Sequence, residues 1–381
     1  MQVDIRQVTK RFELKEFFRF PYKLYKNNKY WVPPIFKEEL KEASPDVNPA
    51  FDHCDAIFLI AIKDGNVAGR IACIINKRYI KYHGTKTARF FWFDFINDLD
   101  ISGALLKEAE RWALSKGMEA ITGPMGFTNF EKQGVLIEGF EYLPTVASPY
   151  NYPYYPEHLE YHGYTKDCDY LEFLITVPRQ VPKKSIKILE AVSLRYKLHT
   201  RDNLSKKELM KYSRQVFEVI NKAYQNIHGF VPLTDDQVRY FLKKYDPVIL
   251  PAFSTAVLDD NDRLVGFQIA MPSLSKALQK ARGKLFPLGF YYISKAIKKP
   301  KKIDILLVGV IPEYQNKGVN AFFLHEITKS CLQMKIPIGE SNGILEDNMS
   351  MLHFTRYYDV QQHKRRRLYK KVLPRPHDGQ I

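Results

Sequence analysis

Six consecutive residues, Gln315-Asn316-Lys317-Gly318-Val319-Asn320, have the types and spacing to hold an anion. An apolar run of strand length, residues 303–310, leads into them and is stopped by Pro312 and Glu313. Residues 321–327 follow with helical spacing, and Gly318 permits the tight turn between strand and helix. A helix entered this way begins with backbone N–H groups that have no partner inside it, and these donors and the helix dipole favour phosphate. Lys317 adds a cation at the same mouth. The expectation is a pyrophosphate cradle. An ordinary strand-to-helix turn has the same outline, so the surrounding elements decide between the two readings.

Those elements occur twice. Residues 3–8 alternate like a first strand, and helical spacing runs through Phe12, Phe17 and Leu24 until Trp31-Val32-Pro33-Pro34 breaks it. Residues 57–62 and 67–75 read as a hairpin about Asp64-Gly65. A strand over 89–96, an amphipathic helix over 101–114 closed by Lys116-Gly117, and a short strand over 118–123 come next. A short helix at 158–162 and a strand over 170–175 complete the half. Residues 177–184, with Pro178 and Pro182, read as a linker. Beyond it the order recurs: a strand at 196–199, a helix over 206–227, then Phe230-Val231-Pro232 in the place of Trp31-Val32-Pro33. A helix over 234–245 has Thr234 and Gln237 at capping-box spacing. A second hairpin, 253–258 and 264–271, turns at Asp260-Asn261-Asp262, so that Leu264-Val265-Gly266 aligns with Val67-Ala68-Gly69.

A repeat this long is a duplicated domain, and its element order is α/β. The expected layout is a first domain at 1–178, a linker at 179–190, and a second domain at 191–381 with an insertion at 273–302. Each domain is expected to be a mixed twisted sheet flanked by helices. A length of 381 residues agrees with two cores. The 58 Lys and Arg against 42 Asp and Glu leave a formal +16, which points to polyanionic partners. Cys54, Cys73, Cys168 and Cys331 are scattered without metal spacing, so reduced thiols and no metal are expected. The first residues lack the apolar core of a signal peptide, and no apolar run is long enough to span a bilayer. The expected location is cytoplasmic, with peripheral attachment at the inner face of the membrane as an option. Walker, Ser-His-Asp and dinucleotide signatures are absent.

With that order around it, the stretch from Val310 through Ile311-Pro312-Glu313-Tyr314 to Asn320 resembles the coenzyme A loop of the GNAT family of N-acyltransferases, Gln/Arg-x-x-Gly-x-Gly/Ala. Gln315 and Gly318 match, and Asn320 departs at the last small position. The resemblance implies acyl-CoA or acetyl-CoA as co-substrate, an amine as acceptor, and a cradle made by Gln315, Asn316, Lys317, Gly318, Val319 and Asn320. It implies a backbone N–H near Val308 to Val310 that polarises the thioester carbonyl, and it places Asn348 beside the pantetheine arm. The family often has a Tyr seven residues after that Asn to protonate the departing thiolate. Thr355 stands there, with Tyr357 and Tyr358 close by but out of phase, so Tyr357 is the acid candidate. For the base, Glu340 at the end of an expected strand 336–340 and His353 on the following helix are the candidates. The ordinary readings are a solvated strand-end carboxylate and a packed helical imidazole. In the first half Ile96-Asn97-Asp98-Leu99-Asp100 stands where the loop would be, and its acids would repel a pyrophosphate. Gly123-Pro124-Met125-Gly126-Phe127, the stretch from Glu131 to Phe140, and Pro149 to Tyr155 resemble a bacterial tandem-GNAT group that includes ceramide synthases, which acylate a sphingoid base.

Between Arg263 and Asp304 there is no acidic residue. Lysines and arginines there interleave with leucines and aromatics, which suits an anionic membrane surface met through 274–302. A packed insertion with solvated lysines, and a grip on acyl-CoA, are the other readings. Lys364-Arg365-Arg366-Arg367 is expected to be a solvated face of a closing strand. His158 and His162 are four apart, but without the Glu placement of a zinc protease helix. The function expected is acyl transfer from CoA to an amine, with a lipidic amine such as a sphingoid base as the finer reading. One rival is a tandem-GNAT transferase using aminoacyl-tRNA, which needs no pyrophosphate cradle, so nucleic acid is the disfavoured partner. The other is a non-catalytic GNAT scaffold binding lipid or protein, which Thr355 favours.

Overall fold

The computed structural model describes residues 3–201, 205–352 and 358–374. Two compact units emerge, one of Met1–Tyr170, Leu278–Gly289 and Lys364–Ile381, the other of Leu171–Ala277 and Phe290–His363. The division differs from a single cut near 179–190, because the chain from Lys364 onward and a piece of the insertion count with the first unit.

In chain order the first half gives β1 (Asp4–Gln7), α1 (Arg11–Leu24), α2 (Phe36–Glu42), β2 (Cys54–Lys63), β3 (Asn66–Asn76) and α3 (Lys77–His83). It continues with β4 (Thr87–Phe95), α4 (Leu99–Ser115), β5 (Ala120–Gly123), β6 (Val135–Glu138), α5 (Tyr154–Tyr161) and β7 (Thr165–Thr176). The second half gives α6 (Lys183–Tyr196), β8 (His199–Thr200), α7 (Lys206–Lys211), α8 (Ser213–Ala223), α9 (Asp235–Tyr245), β9 (Ser254–Leu258) and β10 (Leu264–Pro272). Then come α10 (Ser275–Ala281), α11 (Gly289–Lys298), β11 (Ile303–Val310), α12 (Asn320–Gln333), β12 (Ile338–Ser341), β13 (Ile344–Leu345), α13 (Met349–Leu352) and β14 (Val360–Val372). The expected linker carries the start of α6, because Pro182 takes the N-cap position, where a missing N–H costs nothing. The expected helix over 206–227 breaks into two at Tyr212.

Local chemistry explains the main turns. Asp64 (φ 52°) and Gly65 (φ 72°) both take the left-handed conformation that a tight β2–β3 hairpin needs. Thr234 and Gln237 form the capping box of α9. In the first unit, β3 alternates between two apolar layers: Ile71, Cys73 and Ile75 join the core with α4, and Ala72 and Ile74 join Phe17 and Phe18 of α1.

The two halves share an irregularity. Arg70 pairs with Asp94 and Ala72 with Phe91, so β4 carries one residue more than β3 between those pairs. Likewise Ile269 pairs with Leu307 and Ala270 with Ile305. The N–H of Ile96 bonds to Ala68 O and that of Ile311 to Val265 O, both at 3.0 Å, so Phe95 and Val310 are equivalent positions. β4 pairs in parallel with β5 from Thr87 to Arg89, and β11 with β12 from Ile303 to Ile305, after which each pair parts.

Candidate active site

The bulge decides where β11 points its backbone. In an antiparallel ladder, residues alternate between bonding to the partner and facing away. Since Ile311 bonds to Val265, Gly309 bonds to Phe267, and the N–H and C=O groups of Val308 and Val310 face away from β10. They face the side on which β12 has already left. The Val308 carbonyl accepts the Tyr224 hydroxyl at 3.0 Å, and the Val310 carbonyl accepts Gln315 Nε2 at 3.0 Å. Neither Val308 N–H nor Val310 N–H has a side-chain partner among the described residues. Residues 305–308 and 310 are half-exposed, unusual for a strand with neighbours on both edges. The strand therefore presents two backbone donors on the edge that β12 has left.

The cradle follows. Pro312–Tyr314 makes one tight turn, Asn316 (φ 58°) and Gly318 (φ 83°) are left-handed, and Val319 returns to helical angles as the N-cap of α12. Left- and right-handed residues in succession turn successive N–H groups into one concavity, an anion nest. α12 has no side-chain cap and no acid in its first turn, so its positive end is uncancelled by its own sequence. Gln315, Asn316 and Lys317 are exposed, Gly318 and Asn320 half-exposed, and Val319 is buried as the anchor. Lys317 Nζ lies over the rings of Tyr196 (5.2 Å) and Tyr314 (5.4 Å), which hold its charge beside the nest. A Cβ at Gly318 would come within 2.7 Å of Val192 Cγ2 on α6.

Asn348 Oδ1 accepts the Met351 N–H at 3.2 Å, an N-cap role for α13. His353, Thr355 and Tyr357 lie outside the described residues. Glu340 is not the solvated strand-end carboxylate of the ordinary reading: it is 1% exposed and stands opposite Asp304. One of its oxygens takes the Lys302 ammonium and the other meets His363 Nε2 at 3.1 Å. His363 Nδ1 faces the Glu172 backbone carbonyl at 3.0 Å, which can only accept, so Nδ1 is the donor there. Glu172, Glu340 and His363 are also the described residues whose donor atoms, all within 4.8 Å, could group about a metal ion. Both Glu340 oxygens are thus occupied by basic groups.

Lys302, His363, Asp304, Glu172 and Tyr224 were not singled out in the sequence. Asp304, an acid inside an apolar strand, was the available signal for the cluster. The run 364–367 also needs correction. Lys364 and Arg366 are buried, bonding to the carbonyls of Leu143 (3.2 Å) and Pro149 (2.5 Å), and Arg365 and Arg367 pair with buried Asp169. A strand with a core on one side and an acid on the other leaves none of the four as a plain solvated charge. His158 and His162 converge on Ser102 Oγ at 2.8 and 3.0 Å.

Comparison with solved structures decides the architecture. A tandem GNAT protein from the clavulanic acid biosynthesis pathway superposes over 99% of this chain and 100% of its own, with a TM-score of 0.56 at 13% identity. This chain has the tandem GNAT fold. A GCN5-related N-acetyltransferase from Sphaerobacter thermophilus agrees, with a TM-score of 0.52 at 12% identity over 97% and 96% of the two chains. No family model matches the sequence. Among curated proteins, Protein YghO of Escherichia coli is 28% identical, covering 97% of this chain and 95% of its own. The bacterial ceramide synthase of Caulobacter vibrioides is 26% identical, covering 95% of each. Among the described residues no helix is long and apolar enough to cross a membrane.

Proposed function

We propose that this tandem GNAT chain transfers an acyl group from acyl-CoA to an amine, and that the amine is lipidic, such as a sphingoid base. The observation that carries the reading is the uncapped, left-handed-to-helical start of α12 beside a bulged strand whose Val308 and Val310 N–H groups face an opening. The pyrophosphate sits in the nest of Asn316 to Asn320, and Lys317 balances its charge. The thioester lies along β11, where a backbone N–H of Val308 or Val310 donates to the carbonyl oxygen as it becomes an oxyanion. The amine nitrogen forms the new C–N bond and loses a proton, the C–S bond breaks, and the thiolate takes up a proton. Glu340, with both oxygens engaged, positions β11 and β12 through Lys302 and His363 rather than accepting the amine proton. His353 is then the base candidate and Tyr357 the acid candidate, and Asn348 caps α13, which precedes both in sequence. The ceramide synthase relative supports the lipidic acceptor, as does the cationic, apolar stretch 274–302.

Mass spectrometry of products from mixed acyl-CoAs and amines, including sphingoid bases, tests the reading. An N-acyl sphingoid base is expected. Acylation of water-soluble amines alone would remove the lipidic acceptor, and binding of tRNA without binding of CoA would remove the reaction.

A further inference from the structure

Between Pro272 and Ile303 the chain forms α10, a loop and α11. α10 is packed, with Ala277, Leu278 and Ala281 buried. The loop after it is pinned where it begins. Gln279 Nε2 donates to the carbonyls of Lys29 (2.9 Å) and Trp31 (3.0 Å), and the Gly283 carbonyl accepts the Phe36 N–H at 3.2 Å. A Cβ at Gly289 would lie 1.9 Å from the Lys284 carbonyl oxygen, so the chain closes on itself between these residues. What this closed loop holds outward is apolar. Phe286 is 78% exposed and Leu288 58%, and the chain runs on through Phe290 (65%) and Tyr291 (57%). Four large apolar side chains within six residues, kept in water by a pinned loop, oppose the hydrophobic effect and mark a contact surface. α11 buries no residue but Gly289.

The charges that flank this tip in sequence have one sign. Lys280, Arg282 and Lys284 precede it and Lys295, Lys298, Lys299 and Lys301 follow it, all exposed. No Asp or Glu lies between Arg263 and Asp304. Exposed apolar side chains flanked along the chain by cations alone complement an anionic bilayer, with the rings among acyl chains and the ammonium groups at headgroup depth. A second copy of the chain would bring the same cations face to face.

We propose that Phe286, Leu288, Phe290 and Tyr291 insert into an anionic lipid surface and that the lysines and arginine flanking them in sequence hold them there. The proposal deepens the lipidic-acceptor reading by naming where the chain meets a membrane-borne substrate, and its test is separate from catalysis. The full chain is sedimented with vesicles of phosphatidylcholine alone, or with one part phosphatidylglycerol to three parts phosphatidylcholine. Binding is expected only with phosphatidylglycerol, weakening as salt rises. A Phe286→Ser/Leu288→Ser variant should bind at least about tenfold more weakly, and Gln in place of Lys295, Lys298, Lys299 and Lys301 should do the same while flattening the salt dependence. CoA affinity in solution should be unchanged in both variants, which shows that they remain folded. No binding to either vesicle, equal binding by the tip variant, or tip-dependent dimers in sedimentation velocity without vesicle binding would each overturn the proposal. Vesicle binding by a chain that acylates no amine would sustain it while removing the transferase reading.

Discussion

The start of α4 and the start of α12 follow equivalent bulged strands, yet they differ in what occupies them. At α4, Asp98 caps the helix with its own carboxylate, accepting the N–H groups of Asp100 (3.0 Å) and Ile101 (3.4 Å), and Lys63 pairs with it. At α12 the cap is Val319, and the nest in front of it is open. The strands differ in the same sense. Phe95, the counterpart of Val310, gives its N–H to Tyr155 Oη at 3.3 Å and takes the Tyr154 hydroxyl on its carbonyl at 2.6 Å. Tyr155 and Tyr25 share Asp94 Oδ1, and Tyr25 is stacked between Trp31 and Tyr152. β4 is buried almost throughout, whereas β11 is half-exposed over most of its length. Duplication has kept the scaffold in both halves. In one, the helix start and the strand's free edge are filled by the chain's own side chains; in the other, among the described residues, the helix start has no side-chain cap and the Val308 and Val310 N–H groups have no side-chain partner.

The largest test fills or empties the first half. Tyr155→Ala removes a buried ring stacked on Phe95 at 4.4 Å, together with its bonds to Asp94 and Phe95. A cost of about 3–5 kcal/mol is expected, read as a fall in thermal midpoint by calorimetry. A loss below about 1 kcal/mol would mean that the aromatic filling is not a packed core, and the contrast between the halves would fail.

Gly318→Asp makes the second half resemble the first. It forces a residue with a Cβ into φ 83°, drives that Cβ against Val192, and places a carboxylate one residue before the cap position that Asp98 fills at α4. CoA affinity by calorimetric titration should fall about a hundredfold, with Gly318→Ala between that variant and wild type. Unchanged affinity in a folded Asp variant would rule out the nest.

How much of this contrast was readable beforehand follows from the kind of signal involved. Hairpin turns, capping boxes and the apolar strand before Gly318 are local, and Asp64-Gly65, Thr234 and Gln237 behave as their types require. Asp98 was legible as an obstacle to phosphate but not as a cap paired to Lys63, since that ion pair spans separate elements. The burial of Glu340 is not legible in the sequence because it depends on which strands flank it, and Lys302, Glu172 and His363 come from three other strands or strand ends. The same holds for Lys364 and Arg366, whose partners are carbonyls far away in sequence. The aromatic filling was visible only as a composition, because stacking of Tyr25 between Trp31 and Tyr152 is a tertiary event.

Asp98→Ala tests the cap alone. Removing it should cost about 1 kcal/mol at neutral pH. The Lys63 ammonium, and then the bonds from Asp100 and Ile101, hold the Asp98 carboxyl below the usual carboxylate range. A carboxyl lowered on folding stabilises the protein above its unfolded pKa, and that contribution fades as pH falls through the lowered folded value. The gap in thermal midpoint between wild type and variant should therefore be constant from pH 5 to 8 and narrow below about pH 4. Asp98→Asn, which keeps a capping oxygen but no charge, should lose less and by an amount set by the Lys63 pair. A gap that widens at low pH would show that the carboxylate does not stabilise α4.

The smallest effect is the most specific to the open half. Lys63 is neutralised by Asp98, whereas no carboxylate among the described residues pairs with Lys317, whose Nζ rests over Tyr196 and Tyr314. An exposed lysine held by ring faces keeps its charge available to an anion and loses little entropy in meeting one. Lys317→Gln should weaken CoA binding roughly threefold to fivefold at low salt, since a single exposed charge is worth about 0.5–1 kcal/mol. The difference should shrink toward nothing at 1 M salt, where the screening length is only about 3 Å. A deficit that persists at high salt would mean that the side chain packs against the ligand instead of balancing its charge. The open start of α12 would then bind phosphate through its backbone donors alone, and its advantage over the start of α4 would rest wholly on the missing cap.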